Sequence, residues 1–361
     1  MEAIKHTIVI GAGQAGLAAG YYLRQAGRDF LLLDANDRIG DNWRNRWDGL
    51  RLFSPQRYNH LPGLAPAGGD WHLPDRHEMA DYLENYARHF TLPVHLQCTC
   101  VRAQKTPAGH WTIETTDGTF RAHNLVVATG AYRTPWKPSA IADSFPAEIP
   151  QYHSSGIKDV ATIAGPDTDV LVIGAGASGR QLSHLLLETG AGVTLAGPGV
   201  ANLPRNFLSK DIYWWLYKSG MMTLRTDRFP GKVMIQKGAG DVTVGEPELP
   251  AAIRRIKTEI VRYHAGTLRC KCRKTAPKPV LWPAAGKQGV IVWCTGYRNA
   301  YPWLPAEMLD EVQTPLLASG QSTVYPEVSF IGLPNLLRPN SSLVGGVGED
   351  ARLLVGRGTR L

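Results

Sequence analysis

The feature that most constrains this chain is a glycine-rich turn that occurs twice with the same internal spacing. The first copy follows the apolar residues 8–10 and places Gly11, Gly13 and Gly16 in a GxGxxG pattern. In such a turn the first glycine permits a tight bend, and the second lets backbone approach a pyrophosphate. The third lets the following helix pack against the strand. The pattern predicts a dinucleotide site between a buried strand and a helix.

The residues after the first turn agree with that prediction. A helix is expected from Leu17, with Gly27 as its C-terminal cap, and residues 30–33 are typical of a second buried strand. That strand ends at Asp34, eighteen residues beyond Gly16, where the ribose hydroxyls of a dinucleotide need a carboxylate. The candidate cofactor-binding residues of this first unit are Gly11, Gly13, Gln14, Ala15, Gly16 and Asp34.

The second copy begins after a strand predicted at residues 169–173. When the two copies are aligned at their glycines, Asp34 corresponds to Gly197. The second site therefore lacks the carboxylate that would repel a 2′-phosphate. It also lacks an adjacent arginine that would attract one, which leaves the choice between NADH and NADPH open. The candidate residues here are Gly174, Gly176, Ala177, Ser178 and Gly179. The two copies match at one constant offset: Gly11 with Gly174, Gly16 with Gly179, and Gly27 with Gly190.

Two domains are expected, because 361 residues exceed the length at which one hydrophobic core stops growing. Proline clusters between residues 134 and 150 and between 277 and 283 mark the crossings between them. Two further strands end in a Thr-Gly pair, Thr129-Gly130 and Thr295-Gly296, the second followed by Tyr297. A hairpin is predicted around Asp117-Gly118. The pattern as a whole predicts an α/β protein with two Rossmann-like domains.

Composition narrows the function classes. There is no apolar run of membrane-spanning length and no separate basic and apolar leader, so we expect a soluble, cytoplasmic protein. The net charge is +8, but the basic residues are scattered except between 257 and 278, which favours a solvated face over nucleic-acid binding. Neither Cys98-x-Cys100 nor Cys270-x-Cys272 suits a metal, and Cys294 stands alone, so no metal site is predicted.

Three stretches combine aromatic and polar residues. In loop 39–55, IGDNWRNRWDGLRLFSP, Trp43 either covers a ring system or packs in the core, and the loop's arginines either meet a phosphate or lie on the surface. Residues 77–90 predict a helix whose apolar stripe belongs to the core. In the helix predicted within residues 209–220, Ile212, Trp215 and Leu216 share a face, and Tyr213, Trp214 and Tyr217 lie on its other sides. Core packing is favoured there, and a cofactor or substrate wall is the alternative.

Together these residues resemble the flavin-containing monooxygenases, specifically their small bacterial flavoprotein group, across nearly the whole chain. The resemblance implies an FAD domain formed by residues 1–150 and 280–361, with an inserted NAD(P)H domain at 151–279. It assigns FAD to the first turn and NADPH or NADH to the second. The residues that it adds to the cofactor sites are Gly40, Asn42, Trp43, Leu52, Val101, Thr129, Gly130, Thr295, Gly296, Tyr297 and Leu343.

The sequence departs from that family at three places. The linker fingerprint FxGxxxHxxxY is present only as FPAEIPQYHSSGI, in which Phe145 and His153 can be matched. Ser54 stands where the animal enzymes carry an asparagine close to the flavin, and we treat it as the candidate catalytic residue. The glycine pair usual before the tryptophan is here Gly40-Asp41.

The function that this resemblance implies is monooxygenation with O₂ and a small-molecule substrate. Hydride would pass from the nicotinamide to FAD, O₂ would be trapped as a C4a-hydroperoxyflavin, and a sulfide or amine would accept one oxygen atom. Baeyer–Villiger oxygenation of a ketone, a flavin disulfide reductase and a non-catalytic redox sensor are the alternatives. The absence of a CxxC disfavours the reductase. A dimer is compatible with the sequence, which sets neither the oligomeric state nor the physiological substrate.

Overall fold

The structure, a computed structural model, describes residues 3–236, 242–245, 248–271 and 279–357. The N-terminal elements are β1 (Lys5–Ile10), α1 (Gln14–Gln25), β2 (Phe30–Leu33), α2 (Asp41–Arg44), α3 (Arg76–His89), β3 (Val94–His95), β4 (Cys100–Lys105), β5 (Trp111–Thr115), β6 (Gly118–Val127) and β7 (Thr134–Pro135). The middle elements are α4 (Ser139–Ala142), β8 (Gln151–His153), β9 (Thr168–Ile173), α5 (Ala177–Glu188), β10 (Gly192–Ala196), β11 (Ala201–Leu203), β12 (Asn206–Phe207), β13 (Lys210–Asp211), α6 (Ile212–Lys218), α7 (Gly231–Gln236), β14 (Val242–Val244), β15 (Arg254–Ile256), β16 (Ile260–His264), β17 (Thr267–Cys270), β18 (Val280–Leu281) and β19 (Gln288–Trp293). The C-terminal elements are β20 (Tyr297–Arg298), β21 (Leu317–Ala318), β22 (Gln321–Ser322), β23 (Val328–Phe330) and α8 (Val344–Arg357).

The first sheet has the strand order β21-β22-β23-β6-β1-β2-β3, and β5 and β4 continue from β6 as an antiparallel meander. Strands β23, β6, β1, β2 and β3 run parallel. Parallel strands are covered on both faces, which explains the unbroken burial of the last four residues of β1. Leu17 of α1 and Val347 of α8 belong to the core on one face, and Trp111 and Tyr301 to the core on the other.

The second sheet is parallel throughout, with the order β15-β10-β9-β19-β8. Helix α5 follows β9 and returns the chain to β10, the connection of a Rossmann-like unit. The predicted α/β class with two such units is confirmed.

The structure moves one predicted boundary. We expected the first domain to resume at residue 280, but β18 pairs with β17 and β19 lies between β9 and β8 in the second sheet. Strands of the first sheet resume only at β21. The apolar residues of β19 would suit either sheet, so their pattern did not reveal which one they join. Pro279 and Pro283 lie within the second unit rather than at its end, and Pro277 lies outside the described residues.

Other local predictions hold. Strands β5 and β6 form the hairpin expected at Asp117-Gly118, and Thr115 pairs with Gly118 in register. The helix expected at residues 77–90 is α3, which begins with a capping box between Asp75 and Glu78 and buries Tyr86. Residues 272–278, which hold Cys272 and part of the basic run, lie outside the described residues. No helix in the described part of the chain is long and apolar enough to cross a lipid bilayer.

Candidate functional site

The first glycine turn connects β1 to α1 and has the close contacts that only glycine allows. Gly11 has φ +100°, and a Cβ there would lie 2.7 Å from the carbonyl oxygen of Ala128. A Cβ on Gly16 would lie 1.8 Å from the oxygen of Gly11. Gly13 caps α1 with no side-chain hydrogen bond, and the first turn of the helix has no acidic residue. The turn therefore fits the pyrophosphate of a dinucleotide, which the helix N-terminus would bind.

Asp34 stabilises this turn from the end of β2. It is buried, and its Oδ2 accepts a hydrogen bond of 2.6 Å from the backbone N–H of Ala12. Its Oδ1 accepts from the backbone and the side chain of Asn36. Asp34 thus holds the turn, and a carboxylate retains lone pairs for ribose hydroxyls beyond these three bonds. The sequence predicted the second role and missed the first.

The second turn reproduces the geometry of the first. Gly174 has φ +112°, and a Cβ there would lie 2.2 Å from the oxygen of Cys294. A Cβ on Gly179 would lie 1.9 Å from the oxygen of Gly174. Gly176 caps α5 without a side-chain bond, so the N–H groups around Ala177 and Ser178 have the same fit to a pyrophosphate. The backbone hydrogen bonds also correspond: Gly11 N to Leu33 O and Gly174 N to Ala196 O, Leu17 N to Gly13 O and Arg180 N to Gly176 O.

The two Thr-Gly pairs occupy equivalent places, one beside each turn. Ala128 donates to Ile10 at the end of β1, and Cys294 donates to Ile173 at the end of β9. Thr129 and Gly130 therefore lie beside the first turn. Thr295, Gly296 and Tyr297 lie beside the second turn, although the sequence alone assigned them to no particular turn.

The loop of residues 40–55 joins the two units. The side chain of Asn42 lies 3.9 Å from the position of a Cβ on Gly13. A Cβ on Gly40, which has φ +92°, would lie 2.6 Å from the carbonyl oxygen of Ala80. Arg46 donates to the hydroxyl of Tyr297 at 2.6 Å. Leu52 is buried in the core, and Trp43 packs against it. Further bonds across the units run from Gln181 to the oxygen of Arg51, from Arg205 to the oxygen of Phe53, and from the N–H of Asp48 to the oxygen of Lys158.

The arginines of this loop differ in what they contact. Arg44 is paired with Asp41, Asp81 and Glu84, so its guanidinium is neutralised by carboxylates. Arg51 donates to the oxygen of Leu73. Arg46 donates to the backbone oxygen of Asn42 and to the hydroxyl of Tyr297, and it is in no described ion pair, so no carboxylate neutralises its charge.

A cluster of aromatic residues lies beside Ser54. Tyr58 stacks on Tyr217 of α6 with ring centroids 4.3 Å apart, and Tyr213 lies 6.0 Å from Tyr58. The expected faces of α6 are thus partly wrong, because Tyr213 is buried while Trp215 is only half-buried. Tyr213 contacts Tyr58 of the first unit and is buried there, although the apolar spacing of the helix placed Tyr213 outside the core face.

Ser54 itself is buried and is held by Asn59, which the sequence analysis missed. Its hydroxyl donates to Asn59 Oδ1 at 2.6 Å, and the Asn59 amide donates back to the Ser54 carbonyl. The Asn340 amide lies 3.4 Å from the Tyr217 hydroxyl, and its own Oδ1 is buried with no hydrogen-bond partner among the described residues. The polar side chains near this aromatic cluster, Ser54, Asn59 and Asn340, are therefore uncharged.

His153, the linker histidine, lies against the second Thr-Gly pair. Its Nε2 donates to the oxygen of Gly296 at 3.0 Å, and its Nδ1 accepts from the N–H of Ser155. Its ring meets that of Tyr297 edge-on. Burial, followed by the charges of Lys137 and Arg46, lowers its pKa, although the bond to Gly296 acts in the opposite direction. The lowered pKa favours the neutral form of His153, which connects β8 to Tyr297.

Leu343, Val101 and Gly332 differ in their surroundings. Leu343 directly precedes α8, and the neighbouring oxygen of Ser342 lies 3.5 Å from the amide of Gln14, which brings this end of α8 to the first turn. Val101 is 57% exposed on β4, at a register irregularity, unlike a buried cofactor contact. Gly332, which the sequence analysis did not select, comes so close to Ala15 that a Cβ would lie 2.7 Å from that side chain.

The described cysteines are not arranged for redox or metal chemistry. Burial raises the pKa of the Cys100 and Cys294 thiols to about 12, so neither forms a thiolate near neutral pH. Among the described residues, no group of His, Cys, Asp and Glu is arranged to hold a metal ion.

Comparisons with known proteins agree with this geometry. Residues 8–211 match the pyridine nucleotide-disulphide oxidoreductase family. The chain is 32% identical to a CzcO-like oxidoreductase of Geobacillus kaustophilus, over 98% of each chain. The chain belongs to this oxidoreductase family. It is also 30% identical to an indole-3-pyruvate monooxygenase, YUCCA8, of Oryza sativa, over 88% of this chain and 82% of that protein.

Among solved structures, a flavin-containing monooxygenase from Stenotrophomonas maltophilia superposes with a TM-score of 0.74 and 25% identity, covering 99% of each chain. A bacillithiol disulfide reductase from Staphylococcus aureus has the same fold, with a TM-score of 0.69 and 16% identity over 99% of this chain and 98% of that one. The resemblance to the flavin-containing monooxygenases is confirmed, and this family member is a flavin-dependent oxidoreductase. FAD and a nicotinamide dinucleotide are its cofactors.

Proposed function

We propose that this protein is an FAD-dependent, NAD(P)H-using monooxygenase that oxygenates a soft nucleophile, a sulfide or an amine, in a small molecule. The observation that carries the proposal is the pair of equivalent glycine turns, joined by one loop that also contributes to the aromatic cluster at Tyr58. Bound FAD supplies the redox and oxygen chemistry. The chain itself binds and orients the cofactors and substrate.

In this proposal, the first sheet with α1 and α8 forms the FAD domain and the second sheet forms the NAD(P)H domain. Gly11, Gly13, Gln14, Ala15 and Gly16 bind the FAD pyrophosphate, and Asp34 binds its ribose. Gly174, Gly176, Ala177, Ser178 and Gly179 bind the nicotinamide nucleotide. The assignment is supported by Gly332 and the start of α8, which close over the first turn, whereas Gly197 leaves the corresponding place at the second turn without a carboxylate.

In this proposal, the aromatic cluster and its polar neighbours position the substrate. Tyr58, Tyr213 and Tyr217 form walls that exclude water, which protects a reactive oxygenating species from wasteful decomposition. Ser54 and Asn340 offer neutral hydrogen bonds rather than charges. No side-chain nucleophile is required, because oxygen transfer to a sulfide or amine uses the lone pair of the substrate. Such walls suit a neutral sulfide or, through cation–π contact, an amine.

Two other enzyme activities are found on the same fold, Baeyer–Villiger oxygenation and disulfide reduction. Baeyer–Villiger oxygenation of a ketone uses the same fold: a cyclohexanone monooxygenase structure superposes with a TM-score of 0.67 at 14% identity, over 98% of this chain and 87% of that one. A dithiol reductase is disfavoured, because the sequence has no CxxC and the thiols of Cys100 and Cys294 are buried with raised pKa values.

The experiment is turnover under ¹⁸O₂ with the purified flavoprotein and either NADPH or NADH. An aryl methyl sulfide, a tertiary amine and a cyclic ketone are offered in parallel. We expect a sulfoxide or amine oxide that carries ¹⁸O, formed in step with nucleotide oxidation. Lactone formation from the ketone alone would establish the Baeyer–Villiger alternative. Nucleotide oxidation that yields only hydrogen peroxide with every substrate would contradict monooxygenation, and a failure of both nucleotides to reduce the flavin would support a redox sensor.

We also propose the cytoplasm as the compartment. Five cysteines are too few for a disulfide framework in a chain of 361 residues, and NAD(P)H is supplied inside the cell. Fractionation of the native host followed by immunodetection tests this.

A further inference from the structure

A short hairpin before α6 presents apolar side chains to solvent. Phe207 of β12 pairs with Lys210 of β13, and Leu208 and Ser209 form the turn with φ of +46° and +61°. Leu208 is 70% exposed and Phe207 is 51% exposed. Large apolar side chains at the tip of a projecting turn contribute nothing to a core, so their exposure calls for a partner.

The hairpin is fixed rather than loose. Trp215 of α6 donates from its indole Nε1 to the carbonyl oxygen of Phe207 at 2.8 Å, and the two rings meet edge-on with centroids 6.1 Å apart. Trp214 packs edge-on against Trp215 at 4.7 Å. Two tryptophans therefore support the apolar tip, and indole is the side chain that favours the boundary between water and lipid.

The charges around the tip are positive. Lys210 and Lys218 are both exposed. The nearby acidic group, Asp211, faces inward, where it accepts from the N–H of Tyr213 and pairs with Arg205. The whole chain carries a net charge of +8. An apolar tip flanked by lysines complements an anionic lipid headgroup layer with acyl chains beneath it.

We propose that the hairpin of residues 206–211 docks this protein on the surface of anionic membranes, with Phe207 and Leu208 entering the boundary between headgroups and acyl chains. The docking is peripheral and needs no spanning helix. The opposite side of α6 carries Tyr213 and Tyr217, which reach Tyr58. On the proposed function, the docked helix would thus place the substrate walls next to a reservoir of lipophilic sulfides or amines.

The test is co-sedimentation of the FAD-loaded protein with vesicles of phosphatidylcholine alone or mixed with phosphatidylglycerol. We expect binding to the mixed vesicles that weakens as salt is raised, because screening removes the lysine contribution. Phe207→Thr with Leu208→Asn should lower vesicle affinity about tenfold, since two apolar side chains no longer leave water. Lys210→Gln with Lys218→Gln should weaken binding and flatten its salt dependence.

Matched variants control for general effects of polarity and charge. Leu281→Thr with Val312→Asn changes two other exposed apolar residues, of 71% and 74% exposure, and Lys158→Gln with Lys257→Gln removes two exposed lysines elsewhere. Both should leave vesicle binding unchanged, and all variants should keep their FAD content and unfolding midpoint. Should the double hairpin variant fail to fold, Leu208→Asn alone serves, because asparagine tolerates positive φ.

Three results would overturn the proposal. The first is absence of vesicle binding by the wild-type holoprotein, and the second is an equal loss of binding in the control variants. The third is concentration-dependent self-association that Phe207→Thr with Leu208→Asn abolishes without vesicle binding, which would make the tip an interface between two copies. Because vesicle binding is measured without turnover, its outcome is independent of whether monooxygenation is found.

Discussion

The two glycine turns share one backbone geometry and differ in what surrounds them. At the first turn, the buried carboxylate of Asp34 bonds the N–H of Ala12, and Gly332 and the start of α8 approach α1. At the second, Gly197 occupies the place of Asp34 and donates its N–H to Ile256, as Asp34 does to His95. The turn itself fits only a pyrophosphate, so on the proposed assignment the groups around it would decide whether the cofactor is retained.

On the proposed assignment, this difference would let one chain hold two dinucleotides for different times. The carboxylate of Asp34 and the start of α8 lie at the first turn, as expected for a retained FAD. Gly197 offers no carboxylate at the second turn, as expected for a nicotinamide nucleotide that binds, reacts and leaves.

The largest effect is expected from Gly16→Ala. A Cβ at this position would lie 1.8 Å from the backbone oxygen of Gly11, and backbone cannot move aside as a flexible side chain can. We expect the protein to be purified without FAD and to lose about 2–3 kcal/mol of unfolding free energy. Flavin absorbance per chain and chemical denaturation measure both. Gly165→Ala, at a position that like Gly16 has no positive φ but has no atom within 4 Å of a Cβ, controls for the loss of a glycine without a clash, and full FAD content in Gly16→Ala would refute the assignment.

A smaller loss is expected from Asp34→Asn, which keeps the size of the side chain and removes its charge. The charge-assisted bond to Ala12 contributes about 1.5–3 kcal/mol to the turn, so FAD affinity should fall about tenfold or more. Titration of the apoprotein with FAD measures the change, and hydride transfer from NAD(P)H to the remaining bound flavin should be unaffected. If FAD affinity were unchanged while nucleotide binding fell, the assignment of the two turns would have to be exchanged.

Much of this comparison was predictable from the sequence, because the turns are local. Three glycines, a preceding apolar run and a following helix specify each turn within about thirty residues. The surroundings were not predictable, because they come from distant parts of the chain. Tyr58 stacks on Tyr217, His153 forms a hydrogen bond to Gly296, and Gly332 lies close to Ala15. The boundary at residue 280 was misplaced for a related reason, because the pattern of a buried parallel strand does not tell which sheet it joins.

A modest pH effect is expected from His153, which lies beside the second site only. Burial lowers its pKa below the ordinary value of 6.5, so the unfolded chain binds the proton more readily than the folded one. Its contribution to stability is therefore full above pH 6.5 and decreases as the pH falls below that value, by less than about 1.4 kcal/mol per pH unit. Denaturation of the wild type and of His153→Gln between pH 5 and 8 should show a shallower slope for the variant, with equal slopes contradicting the prediction.

The smallest effect concerns nucleotide choice. Arg205 and Lys210 follow Gly197 in the chain and are candidates to reach a 2′-phosphate, but Arg205 bonds the oxygen of Phe53 and pairs with Asp211. We therefore expect no strong preference for NADPH over NADH, and less than about a twofold change in that ratio in Arg205→Gln or Lys210→Gln. Anaerobic flavin reduction with each nucleotide gives the ratio. A large NADPH preference that survives both substitutions would show that another cation replaces the missing arginine at Gly197.

The central claim, that the two equivalent turns hold different cofactors, is tested most directly by Gly179→Ala. The new Cβ would lie 1.9 Å from the oxygen of Gly174, the counterpart of the clash at Gly16. We predict a folded protein with its full complement of FAD that is no longer reduced by NADPH or NADH without oxygen, although dithionite still reduces it. Loss of FAD from Gly179→Ala, or normal reduction of its flavin by NAD(P)H, would show that the two turns do not divide the cofactors in this way.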